Sequence, residues 1–243
     1  MHEYRHAEAI AKFKACLELA SDDSERCALL NLIGESRIRS GAYKDAEQTF
    51  LEMIRIAEQA GIDESLAAAL GNIGLVYATL GEPHKALNSH KRSLKIAEQI
   101  GSLEVQARVF SNIGNVYQTL GEPQKALEFY ERSLKIAEKI GSLEGQAAEL
   151  GNIGLVYGDL GEQQKALDYH ERSLKLAEQI GNLKIQASVL GNIGLIHGDL
   201  GQFEEALAYL QKAREIFVKI GAKHLVEKAD RNIAIVKKKL EKQ

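Results

Sequence analysis

The chain has 243 residues, of which 45% are apolar and 27% charged, the balance of a folded domain rather than a disordered or membrane-embedded one. Its 31 basic and 34 acidic residues are well mixed and sum to −3, so no field of one sign awaits nucleic acid or an acidic membrane.

The first residues, "MHEYRHAEAIAKF", lack the apolar run of a signal peptide. No later run approaches the ~20 apolar residues of a membrane span. Cys16 and Cys27 are too few for a disulfide framework and have no metal spacing. Both are expected to be reduced and buried, in a cytoplasmic protein. Residues 1–26 read as one helix.

From residue 27 onward a forty-residue unit recurs at 27–66, 67–106, 107–146, 147–186 and 187–226. Residues 107–146 and 147–186 agree at 24 of 40 positions without a gap. Self-similarity at such a period means a repeat array. Each unit holds two helical patterns. Leu66, Leu70, Ile73, Tyr77 and Leu80 recur at steps of four and three, on one face of a first helix. Gly81 ends it. Ala86, Leu87, Leu94, Ala97 and Ile100 form the stripe of a second helix, with Pro83 near its start and Gly101 at its end. Gly74, Gly114, Gly154 and Gly194 each cost about 1 kcal/mol of helix propensity, which predicts close approach of the paired helix.

Every copy from 67 onward carries an Asn at one register position: Asn72, Asn112, Asn152 and Asn192. At about 100° per residue this position lies off the core stripe. It shares a lateral face with Ala68, Leu75 and Thr79; with Arg108, Asn115 and Thr119; with Ala148, Leu155 and Asp159; and with Ser188, Leu195 and Asp199. Gln118 belongs with these. The neighbouring Gly71, Ser111, Gly151 and Gly191 are small enough to let a ligand backbone approach. The first unit breaks the series with Leu32.

The slots Leu70, Ile73, Gly74, Tyr77, Gly81, Ala86 and His90, and their counterparts Phe110, Ile113, Gly114, Tyr117, Gly121, Ala126 and Tyr130, resemble the tetratricopeptide repeat over the whole chain. The chain departs from the common pattern in its period of forty, in Ser93, Ser133 and Ser173 at an alanine slot, and in Glu98 and Glu138 at the closing proline slot. The last departure predicts a second helix running on by more than a turn. These features are similar to the long-helix branch of LGN/Pins-type cell-polarity adaptors and kinesin light chains. The resemblance implies an all-α, right-handed superhelical solenoid of about twelve helices, with first helices on the inner surface. Residues 1–26 match only a second helix, a half-repeat. Residues 222–243 match only a first helix, with Asp230 and Lys237 suiting a solvent-facing cap. The unpartnered stripe of the N-terminal helix leaves a homodimer conceivable.

An amide offers a donor and an acceptor, which suits a peptide backbone of any sequence; asparagines in this slot play that role in the resembling adaptors. The concave face would then comprise Asn72, Leu75, Arg108, Asn112, Asn115, Gln118, Asn152, Leu155, Asp159, Asn192, Leu195 and Asp199. The alternative is that each Asn serves only neighbouring units or solvent. Five units at about 8–10 Å spacing would hold roughly 12–15 extended residues. His90, His170 and His197 fill aromatic slots and are expected to pack. "GNIG" lies inside a helix and is no phosphate loop; "HEYRH" is a loose metal-like match; "VKKKLEK" reads as a solvated helix end. No acid, base and nucleophile gather, and no cofactor or metal is implied. The expected function is a non-enzymatic scaffold for an extended or partly helical peptide. A ligand-sensing regulatory module of a larger signalling protein is the second reading, and RNA binding a weaker third.

Overall fold

The computed structural model describes residues 2–241, with side chains from residue 6, so most side chains of the "HEYRH" segment and the last residue of "VKKKLEK" lie outside what is described. Twelve helices and no strand occur among them: α1 (His2–Leu19), α2 (Asp23–Arg39), α3 (Tyr43–Ala60), α4 (Asp63–Thr79), α5 (Pro83–Gln99), α6 (Leu103–Thr119), α7 (Pro123–Lys139), α8 (Leu143–Asp159), α9 (Gln163–Gln179), α10 (Leu183–Asp199), α11 (Phe203–Lys219) and α12 (Lys223–Leu240). The first helix of a pair therefore starts four residues before each forty-residue window.

The ten turns from α2 onward are built alike. A glycine with positive φ follows the helix, as at Gly81 (φ 76°) and Gly101 (φ 71°), and the chain folds back through Glu82 N–H to Tyr77 C=O (2.8 Å) or Ser102 N–H to Ala97 C=O (3.0 Å). This corrects the expectation of long second helices. Glu98 is helical, but α5 stops one residue later because Gly101 turns left-handed. On the other side of the turn, Ser102 and Ser142 accept the backbone N–H of Val105 and Gly145 as N-caps. Gln106 and Gln186 reach back to the carbonyls of Ala97 (3.1 Å) and Ala177 (2.9 Å).

The helices form two compact units, Met1–Phe129 and Tyr130–Gln243. In the first, α2 packs on α3 and α4 on α5, and the first helices α2, α4 and α6 are neighbours in turn. In the second, α8 packs on α9 and α10 on α11, and α8, α10 and α12 are neighbours in turn. Leu70, Ile73 and Val76 are buried against Phe50, Met53 and Ala57 in the first unit, and Val189, Ile193 and Ile196 against Ala166 and Leu167 in the second. Cys27 belongs to this core, whereas Cys16 is exposed. The expectation of two buried thiols therefore fails at Cys16, which lies on an exposed face of α1.

Within a pair, the recurring glycine makes room for a ring or a leucine. A Cβ on Gly74 would lie 2.4 Å from Cε1 of His90, and one on Gly154 would lie 2.8 Å from Cε1 of His170. Phe50 sits on Gly34 in the same way, and Leu210 on Gly194. The serine departures also have a structural reason. Ser93 Oγ donates to Ala67 C=O (2.7 Å) and Ser173 Oγ to Ala147 C=O (2.6 Å), tying second helix to first. At the open edge, Lys85 pairs with Glu82 (2.6 Å) and lies over the Tyr77 ring at 5.2 Å. Lys165 repeats this with Glu162 and Tyr157.

Candidate functional site

The lateral faces of the first helices carry the asparagines, and all four amides are half-buried. In the first unit, Leu75, Asn112 and Asn115 line a 230 Å³ cavity together with Val116, Thr119 and Leu120. Asn72 stands apart from it. Its Nδ2 donates to Oδ1 of Asn31 on α2 (2.7 Å), and Asn31 in turn donates to Glu35 (2.9 Å). The break at Leu32 is thus a displacement by one residue: Asn31 supplies an amide to the face, while Leu32 is exposed. Arg108 is exposed and Gln118 half-buried, and neither lines this cavity.

In the second unit the face is a trough. Asn152, Leu155 and Asn192 line a 420 Å³ cavity between α8 and α10, floored by Ala147, Ala148 and Val189, with Glu144 and Lys184 among its lining residues. A second cavity of 110 Å³ shares Ser188 and Asn192 with the first and continues over Leu195 to Asn232 and Lys228 on α12. Three successive first helices therefore bring an asparagine to one continuous surface. Small residues open it: Gly151 and Ser188 line the larger cavity and Gly191 the smaller. In the first unit the Ser188 slot holds Arg108. Gly71 does not serve this way; it is buried, and a Cβ there would meet Ser93 Oγ at 3.6 Å. Asp159 and Asp199 are exposed and line neither cavity.

Asn31 and Glu149 are among the residues near this surface that the repeat pattern does not mark. Asn31 sits one place out of register. Glu149 is buried at 5% exposure beside the trough and accepts from Asn152 Nδ2 at 3.3 Å. Its signal was an acid in a slot that holds Leu29, Ala69, Val109, Val189 and Ala229 elsewhere.

The histidines pack rather than converge. His90 and His170 are buried, and burial lowers each imidazole pKa to about 4. No N or O partner meets either ring nitrogen of His90, or Nδ1 of His170. His197 stacks on Tyr209 at 5.3 Å and contacts Gln202 through Nδ1. Among the described residues no group of three or more His, Cys, Asp or Glu could hold a metal ion, and no helix is long and apolar enough to cross a membrane.

A sequence model of the tetratricopeptide repeat matches residues 24–99 and 105–179, and a second tetratricopeptide repeat model matches 186–220. No curated protein matches the sequence. Among solved structures, BtubC (BKLC) from P. vanneervenii is similar with a TM-score of 0.73 at 17% identity, over 90% of this chain and 91% of that one. The apo form of RapI is similar with a TM-score of 0.73 at 18% identity, over 100% of this chain and 96% of that one. A signal transduction ATPase with numerous domains from Pyrococcus horikoshii, which has a tetratricopeptide repeat sensor, gives 0.74 at 17% identity; the match spans 96% of this chain and 39% of that one. At these identities the likeness concerns the fold.

Proposed function

Because the chain belongs to the tetratricopeptide-repeat family, we propose that it is a non-enzymatic protein-interaction scaffold that holds an extended peptide segment along the asparagine face. The observation that carries this reading is the trough of the second unit. Asn152, Asn192 and Asn232 line adjoining cavities whose floor is apolar and whose mouth is polar. Three neighbouring first helices at about 8–10 Å spacing span roughly 20 Å, the length of about six extended residues. Carboxamides at that interval can serve backbone N–H and C=O groups of any sequence, while Leu155 and Leu195, both partly exposed, offer contacts to alternate side chains. The forty-residue period, though not a prolonged second helix, favours the branch of LGN/Pins-type adaptors and kinesin light chains as part of the same reading, and free cysteines agree with a cytoplasmic setting.

The double variant Asn152→Ala/Asn192→Ala tests it. Each amide bond is worth about 0.5–1.5 kcal/mol net, so the pair should weaken binding by about 10- to 100-fold. Fluorescence anisotropy would be read on twelve-residue peptides selected from a random display library on the unaltered protein. The melting temperature should hardly move for Asn192→Ala, which is half-buried and off the core, and should fall with Asn152→Ala, which takes a donor from the buried Glu149, so affinity is compared at a temperature where all variants are folded. Unchanged affinity, or selected peptides that bind away from the trough, would discard the proposal.

The second reading, a sensing module of a larger signalling protein, draws on one finding: the Pyrococcus horikoshii ATPase carries a tetratricopeptide repeat sensor. A small ligand confined to the 110 Å³ cavity by Lys228 and Phe217, with no peptide selected, would favour it.

A further inference from the structure

Glu149 has no packing reason to be acidic. The same register position is Ala69, Val109, Val189 or Ala229 in other repeats, all buried. A valine would fill it, and exchanging a buried charge for a well-packed apolar group is often neutral or stabilising. A second departure accompanies it. Tyr130 takes the slot of Phe50, His90, His170 and Leu210 and is wholly buried. Its phenol pKa is raised, by burial first and by the charge of Glu149 second.

The third member is Asn152, whose Nδ2 donates to Glu149 Oε2 one turn below. In a planar carboxamide, an amide nitrogen turned toward Glu149 leaves the oxygen turned away from it. Asn152 also lines the 420 Å³ cavity. At the next rung Asn192 lines the same cavity, but Val189 stands where Glu149 does, and no side-chain partner meets Asn192 among the described residues. Asn192 can turn either end of its amide to a ligand.

We infer that Glu149 is a positioning residue that fixes Asn152 as a hydrogen-bond acceptor in the trough, so that this rung selects a ligand N–H, the secondary amide of a peptide backbone, while Asn192 accepts either polarity. The inference rests on the peptide reading above and specifies its chemistry at one rung.

Two small amides serve as probes. N-Methylacetamide carries a donor N–H and a carbonyl; N,N-dimethylacetamide carries only the carbonyl. Side-chain amide resonances of Asn152 and Asn192 are followed by ¹H–¹⁵N NMR during titration of the full chain with each. Asn152 should respond to N-methylacetamide about 2- to 10-fold more strongly than to the dimethyl compound, the range set by one net hydrogen bond. Asn192 should respond to both alike. Glu149→Val should make Asn152 behave like Asn192, with a melting temperature unchanged or raised. Glu149→Gln keeps an acceptor oxygen and should retain the preference. Equal responses of Asn152 to both probes in the unaltered protein overturn the inference, a result that needs no variant to fold. So does a preference that survives Glu149→Val. Selected peptides that fail to bind while the probe preference stands count against the peptide reading alone; bound peptides without the preference count against Glu149 alone.

Discussion

Lowering the pH from 7 to 4.5 is expected to remove about 2–3 kcal/mol of stability from each unit through a single imidazole, His90 in the first and His170 in the second. Both rings are buried, and burial alone holds their pKa at about 4 against an ordinary 6.5. Between those values the unfolded chain binds a proton that the folded chain refuses. Stability therefore rises with pH through this window, is complete above about 6.5 and is lost as pH falls toward 4. The absent partners make the cause plain: no carboxylate meets a ring nitrogen of His90, so protonation in place would leave an uncompensated buried charge. Carboxylates elsewhere also titrate in this range, so the measurement is a difference. Urea midpoints of the unaltered chain and of His90→Phe/His170→Phe are compared at both pH values. Phe50 already occupies this slot above Gly34, so the phenyl ring fits. The variant should lose far less stability on acidification. An equal loss in both proteins would assign the acid sensitivity to other groups.

The same slot shows what was legible in the sequence and what was not. Gly74 and His90 recur two repeats on, eighty residues away, as Gly154 and His170, so a close helix contact with a packed ring could be read from the repeat alone. Helix ends were legible for the same reason, since each glycine turn returns in phase. The asparagine face followed from helical geometry. Features that break the period were not legible, because their meaning lies with a spatial neighbour. Asn31 looks like a misplaced residue until it is seen to accept from Asn72 on the next first helix. Glu149 looks like a surface acid until its burial and its bond to Asn152 are known. Glu98 at a proline slot suggested a longer helix, but proline there is only one way to stop; the left-handed glycine three residues later suffices. Asp159 and Asp199 share the asparagine face by angle, yet they stand one turn beyond the cavities' lining.

Gly34→Ala is expected to destabilise the first unit by about 1–3 kcal/mol, although an alanine in a helix ordinarily gains about 1 kcal/mol over glycine. The new Cβ would lie 2.4 Å from Cζ of Phe50, 2.6 Å from Cε1 and 2.9 Å from Cε2. Phe50 is fully buried among Cys27, Leu30 and Ala46, so its ring has nowhere to withdraw and the helices must separate. The sign should reverse once the ring is gone. Phe50→Ala alone costs about 3–5 kcal/mol, but on that background Gly34→Ala meets no ring, and only the propensity gain of roughly 1 kcal/mol remains. Four proteins unfolded in urea close the cycle, with a coupling of about 2–4 kcal/mol between the two sites. A stabilising Gly34→Ala in the unaltered background would show that the pair can open without cost. The contact also reaches the asparagine face. α2 carries Gly34 toward its pair and Asn31 toward α4, so a displaced α2 should lengthen the 2.7 Å bond from Asn72. Loss of protection at the Asn72 side-chain amide should therefore accompany the loss of stability, because one helix carries both contacts.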